Sequence, residues 1–223
     1  MLSECIASVL NGISPAAYAS AAPFPSAVVD GILTEMEARL TREAFPDRSW
    51  PGWKLHRNKN TDKRDCATWE SFPPDVFRVC QALNSDLVVK ALERMTGIHG
   101  LESDPFLEGG GMHLIGRGGF LGVHADFNIH TKTKKRRAVN LLLYLEEAEG
   151  GALELWDETA EHCVKTISTA PGRAAIFTAG DRTFHGHPNP LVAPWRRSIA
   201  AYYYLSSIDE AVPYHNTIYR EVP

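Results

Sequence analysis

From residue 105 to about residue 205 the chain alternates short apolar runs with Gly, Asp and Pro turns. None of these runs is long enough for a helix, and their β-branched and aromatic content suits strands. So many short strands in succession must close on themselves or stack, because an open sheet would leave long unpaired edges. A β-sandwich or a small jelly-roll barrel is therefore expected over this half.

The front of the chain has a different texture. Residues 1–22 are Ala- and Ser-rich, with a weak helix near 3–10 and loose packing on the body expected. Ser26–Asp30 reads as a short strand. Thr34 and Glu37 form a T-x-x-E capping box for a helix to about Glu43. Leu33, Met36 and Leu40 recur at spacings of three and four, which predicts one apolar stripe on that helix. Residues 44–73 are polar, with a strand expected at Trp53–Arg57 and a lid role considered for Trp53, His56 and Arg57. Two helices follow at about 75–83 and 86–96, the second capped by Ser85 and ended by Gly97. The expected class is α+β: one domain over 1–223, with mostly helical support and a possible lid in 1–104, a β catalytic core in 105–208 and a tail in 209–223.

Composition excludes several alternatives. With 23 Lys and Arg against 27 Asp and Glu the formal charge is −4, which gives no global attraction to nucleic acid or an anionic membrane. Cys5, Cys66, Cys80 and Cys163 are dispersed, with no C-x-x-C pair, so neither a disulfide framework nor a zinc knuckle is indicated. The first residues make a poor signal peptide, and no apolar run approaches the roughly 18 residues of a membrane span. A cytoplasmic location is the simplest expectation.

The chemistry centres on G-G-F-L-G-V-H-A-D-F-N at 118–128. On a strand over Phe120–Asp126, side chains alternate with period two, so His124 and Asp126 face the same side. An imidazole and a carboxylate so placed can take adjacent positions on a metal. A second histidine from a distant strand would complete the facial arrangement of a non-haem iron(II) oxygenase. His185, in F-H-G-H-P-N-P, is the candidate, with His187 its rival. His130 and His162 read as ordinary loop and strand-start residues. H-x-D alone is a common pair; its value here comes from the ordered motifs that accompany it.

Two later strands suggest an anion pocket. In R-R-S-I-A-A-Y-Y-Y-L (196–205), Arg196, Ser198 and Ala200 share a face. A guanidinium matches a carboxylate with two parallel bonds, and a serine two residues on can add a third. Arg197 points the other way and reads as a surface arginine. In R-A-V-N-L-L-L-Y-L (137–145), Val139, Leu141, Leu143 and Leu145 form an aliphatic core face. Asn140, Leu142 and Tyr144 form the opposite face, whose polar groups need partners if buried.

H-A-D-F-N (124–128), R-R-A-V-N-L-L-L-Y-L (136–145), G-G-A-L-E-L-W-D (150–157), F-H-G-H-P-N-P-L (184–191) and R-R-S-I-A-A-Y-Y-Y (196–204) resemble the prolyl 4-hydroxylase-like branch of the iron(II)/2-oxoglutarate dioxygenases. P-F-P-S-A-V-V-D-G-I-L (23–33) is similar to that branch's N-terminal strand. The resemblance implies a double-stranded β-helix core with supporting helices. It implies Fe(II) on His124, Asp126 and His185. It also implies that Arg196 binds the distal carboxylate of 2-oxoglutarate, helped by Ser198 and Tyr144, with Asn140 on the same wall. Iron(II), 2-oxoglutarate and O2 would then hydroxylate a C–H bond, releasing succinate and CO2. Asp126 argues against halogenation, since related halogenases have a small residue there. The segments after Tyr144 and between His185 and Arg196 are shorter than in the bacterial members.

The substrate is less constrained. K-T-K-K-R-R (132–137) reads either as a solvated loop or as an anion-binding rim contributed by Lys134 and Arg136. His113 and Arg117, in the glycine-rich stretch 109–119, and Asn128 are further substrate-side candidates. A small molecule, anionic or carrier-bound, is the first expectation. A peptidyl hydroxylase is the second, and a non-catalytic cupin-like metal binder the third. Such a binder, or a zinc hydrolase, would have no need of Arg196.

Overall fold

The computed structural model describes residues 1–206 and 213–222. Helices α1 (Leu2–Asn11) and α2 (Pro15–Ala19) open the chain, followed by strand β1 (Ser26–Val29) and helix α3 (Glu35–Ala44). The hairpin β2 (Lys54–Asn58) and β3 (Thr61–Cys66) precedes α4 (Pro74–Leu83) and α5 (Asp86–Thr96). The remaining strands are β4 (Leu101–Ser103), β5 (Gly111–Gly116), β6 (Leu121–Ala125), β7 (Arg136–Tyr144), β8 (Leu153–Trp156), β9 (Cys163–Ile167), β10 (Ala174–Thr178), β11 (His185–His187), β12 (Trp195–Leu205) and β13 (Ile218–Tyr219).

The strand order β1-β10-β7-β12-β5-β3 continues into β6-β11-β8-β9, all antiparallel, and the sheet curls into a nearly closed jelly-roll barrel. β12 shows why. Its odd-numbered Ile199, Ala201 and Tyr203 join the core beneath α1, α4 and α5, while Ala200, Tyr202 and Tyr204 pack on its other face. Tyr203 donates its buried hydroxyl to Leu83 O at the end of α4 (2.8 Å), tying helix layer to sheet. Val139, Leu141 and Leu143 of β7 belong to the same helix-facing core. Burying so many aliphatic side chains, at about 25 cal/mol per Å² of apolar surface, is the main force holding helices to barrel.

The helix boundaries follow local rules. Thr34 caps α3 with the reciprocal Glu37 bonds of a capping box, and Ser85 Oγ accepts from Val88 N. Gly97 ends α5 in the left-handed region (φ 72°), where a side chain would be strained.

Four expectations are corrected. The front of the chain packs firmly: Ile6, Leu10 and Tyr18 are fully buried, and Tyr18 Oη lies 2.9 Å from Thr178 Oγ1. The stripe on α3 is not its buried face, since Met36 is 54% and Leu40 40% exposed. Ala38 and Thr41 are buried instead. Thr41 can be, because its hydroxyl bonds Glu37 O within the helix (2.7 Å). The polar stretch 61–66 is a strand, β3, held by β2 and β5 rather than by its own apolar content. His130, read as a loop residue, is completely buried beside Asp104 and Glu108. The expected boundary between core and tail at 208/209 lies outside the described residues. No helix is long and apolar enough to cross a membrane.

Candidate active site

β6 and β11 are neighbours in the barrel, and their register sets His124 directly opposite His185. The close approach depends on Gly186. A Cβ there would lie 2.8 Å from the carbonyl oxygens of Leu121 and Gly122. Asp126 follows the last residue of β6 and turns back toward both rings. His124 Nε2 lies 3.6 Å from Asp126 Oδ1, and His185 Nε2 lies 3.4 Å from Asp126 Oδ2. Among the described residues this is the one group of three or more metal-binding side chains whose ligand atoms all fall within 4.8 Å of one another.

Proton placement decides what such a cluster can hold. His124 Nδ1 faces Gly122 O at 2.8 Å and His185 Nδ1 faces Thr183 O at 3.0 Å. A carbonyl can only accept, so each Nδ1 carries a proton and each ring turns Nε2 inward, the nitrogen free to ligate. Two imidazole lone pairs and a carboxylate then converge without a proton between them, which suits a divalent transition metal. Burial opposes ionisation of Asp126, yet the Arg137 guanidinium holds its carboxyl well below the usual range. Burial pushes His185 down to about 4, which keeps it neutral.

Asp126 is fixed from behind. Arg137 Nη2 lies 3.0 Å from Oδ2, and Asn140 Nδ2 donates to the same oxygen at 2.8 Å. Arg137 Nε donates to Asn140 Oδ1 (2.7 Å), so the three form a closed network. The guanidinium stacks 3.4 Å from the Tyr202 ring centroid and 4.8 Å from that of Phe127.

These groups line a cavity of about 130 Å³, shared with Lys63, His113, His187, Arg196, Ser198 and Tyr219. Arg196 is buried, donates Nε to Gly151 O (2.7 Å) and lies 3.5 Å from Tyr144 Oη. Among the described residues it has no carboxylate partner. A buried guanidinium with free donors facing a cavity fits a carboxylate ligand, because leaving it uncompensated is costly. Arg197, one residue on, points outward and pairs with both oxygens of Glu146 at 2.9 Å. His187 also reaches the cavity, but Asn189 O and Arg196 surround it and its Nε2 has no partner.

The remaining candidates divide. His113 lines the cavity with Nε2 3.0 Å from Gly109 O. Tyr144 supports Arg196 without lining the cavity, and Asn140 reaches it while holding Asp126. Asn128 is spent on structure, donating to Pro213 O (2.8 Å) and accepting from His215 N (3.0 Å). Arg136 borders a separate depression beside Asp126 and Asn128. Arg117 and Lys134 lie away from the cavity. Arg117 is carried past the barrel end by the turn after β5, beside Arg57 and Trp195. Lys134 is exposed in a turn with φ 60°.

Several cavity residues escaped sequence reasoning. Arg137 was hidden in a basic run, Lys63 in a polar hairpin, and Thr217 and Tyr219 in the C-terminal stretch. Tyr219 pairs with His124 across β13 and β6, its ring 5.5 Å from the imidazole.

A family model described as the 2OG-Fe(II) oxygenase superfamily matches residues 110–204. No curated protein matches the chain in sequence. Among solved structures the fold is similar to a prolyl-4-hydroxylase from Pseudomonas putida, with TM-score 0.61 and 17% identity over 91% of this chain and 100% of that one. It is similar to a prolyl hydroxylase from Trichoplax adhaerens, solved with a hypoxia inducible factor peptide fragment (TM-score 0.56, 17% identity, 91% and 89% covered). It is also similar to HygX from Streptomyces hygroscopicus, solved with nickel, 2-oxoglutarate and hygromycin B (TM-score 0.55, 13% identity, 83% and 84% covered). Over residues 110–204 the chain is thus similar to the 2OG-Fe(II) oxygenase superfamily, whose members work with iron(II), 2-oxoglutarate and O2.

Proposed function

We propose that the chain hydroxylates an unactivated C–H bond of a small molecule, an amino acid or a natural-product intermediate. In this reading His124, Asp126 and His185 hold the iron, and Arg196 takes the distal carboxylate of 2-oxoglutarate with Ser198 beside it. The observation that carries it is the meeting of two sets in one cavity: three convergent acceptors that match a divalent metal, and a buried guanidinium that matches a carboxylate. Each set matches one of the two groups that the superfamily employs.

Bound iron(II) and 2-oxoglutarate would supply, with O2, the oxidant that removes a hydrogen atom, with succinate and CO2 as by-products. The protein's own part is positioning. Arg137 and Asn140 keep Asp126 ionised and oriented. Gly122 O and Thr183 O fix the imidazole tautomers. Tyr144 and Gly151 hold Arg196 in the wall of the cavity that the metal cluster shares.

The small-molecule reading draws on the size of the cavity, about 130 Å³. Thr217 and Tyr219 add to its wall. The structure solved with hygromycin B shows that a similar fold accommodates a small molecule; the one solved with a peptide fragment keeps a peptidyl substrate as the second reading. Oxygen-dependent succinate formation, screened over metabolites and over proline-containing peptides, separates the two. Stimulation by peptides alone would replace the first reading with the second.

A further inference from the structure

We propose that Lys63 is a second carboxylate-binding cation of the active-site cavity, distinct from Arg196. This rests on the function proposed above. β3 pairs with β5 so that Arg64 faces Leu114 and Asp65 faces His113, and β12 pairs with β5 so that Arg196 faces Ile115. Lys63, next to Arg64, therefore lies at the level of Arg196 with one strand between them, and both side chains line the cavity.

The charges there do not balance. Lys63, Arg137 and Arg196 are the cations of the cavity wall, and Asp126 is its one carboxylate among the described residues. Asp126 already serves Arg137 at 3.0 Å. Among the described residues the ion-pair partner of Lys63 Nζ is Asp65 Oδ1 at 4.0 Å, beyond hydrogen-bond reach, and His56 Nε2 lies against the same oxygen at 2.5 Å. The Lys63 side chain is only 16% exposed, so water replaces little of what it lacks. Iron(II) and the 2-oxoglutarate dianion cancel one another and leave this surplus in place. A buried ammonium with free donors, opening on a cavity, is the arrangement that a carboxylate completes. Burial lowers the affinity of Lys63 for its proton, with Asp65 and Asp126 opposing; a bound carboxylate would favour the charged form further.

That carboxylate belongs either to 2-oxoglutarate or to the substrate, and two measurements separate the sources. Calorimetric titration of the Mn(II)-loaded protein with 2-oxoglutarate is the first. Thermal shift of the Mn(II)–2-oxoglutarate complex by free amino acids and by their carboxamides is the second. Lys63→Met is expected to weaken 2-oxoglutarate about tenfold, with Lys63→Arg intermediate, if the carboxylate is the cosubstrate's. If it is the substrate's, 2-oxoglutarate affinity stays and the preference for carboxylate over carboxamide is lost. Lys63→Met matching the wild type in both measurements overturns the proposal. A fall in melting temperature of the metal-free variant alone would then mark Lys63 as a structural partner of Asp65. Arg196→Leu serves as the control for the underlying reading: if it keeps full 2-oxoglutarate affinity, that reading fails whatever Lys63 does.

Discussion

Two histidine–carboxylate clusters among the described residues, one around His124 and His185 and one around His130, are built on opposite principles. In one, His124, Asp126 and His185 point their acceptors at a common centre, and the backbone takes the ring protons from outside. In the other, His130 lies between two carboxylates on opposite edges of its ring. Its Nε2 is 3.1 Å from Asp104 Oδ1, and its Nδ1 is 2.9 Å from Glu108 Oε2. The N–H groups of Lys132 and Thr133 also face Nδ1, at 3.0 and 3.2 Å. The ring joins the turn after β4 to the loop before β7. Because its two carboxylates sit on different nitrogens, they cannot meet on a single ion. Residue types alone do not distinguish these clusters; the direction of the acceptors does.

His124→Ala and His130→Ala should therefore fail in different ways. The first is expected to weaken Mn(II) or Fe(II) binding by more than about a hundredfold while the apo fold melts close to the wild-type temperature. The second should leave metal affinity within a few-fold and cost about 3 kcal/mol of stability, because it takes the imidazole from the buried Asp104 carboxylate. Metal titration and denaturant unfolding of both variants check this. Equal metal loss in His130→Ala would erase the distinction.

The next largest effect separates adjacent arginines on β12. Arg196→Leu should raise the 2-oxoglutarate Kd by about a hundredfold, as expected for the loss of a buried charge-assisted pair. Arg197→Leu breaks a half-buried pair with Glu146 and should cost about 1 kcal/mol of stability with the Kd unchanged. A smaller effect is expected behind the metal cluster. Asn140→Ala removes one of the two supports of Asp126 and should weaken metal binding about tenfold. At the bottom of the scale, Lys134→Gln should alter neither metal nor cosubstrate binding, since its side chain is exposed away from the cavity.

What was legible in the sequence was whatever rests on strand parity. His124 and Asp126, Arg196 and Ser198, and the aliphatic face of β7 all follow from alternation along single strands. Arg137 did not, for a physical reason. Parity places it with Val139 on the helix-facing side. A bulge, in which β12 pairs Tyr203 with Val139 but Tyr204 with Arg137, turns Arg137 into the barrel. Lys63 was illegible because β3 has no apolar alternation and is held by its neighbours. His130 was misread because its partners lie more than 20 residues away in a turn whose shape the sequence does not reveal. Tyr219 reaches the cavity through a strand of two residues, too short to leave a pattern.

The most direct test of the proposed site is anaerobic addition of iron(II) and 2-oxoglutarate to the intact protein, followed by visible absorbance. A charge-transfer band should appear only when both are present, be absent in His124→Ala and be displaced to higher 2-oxoglutarate concentration in Arg196→Leu. Absence of the band in the intact protein, or its persistence unchanged in His124→Ala, would contradict the assignment of the cluster as the iron site.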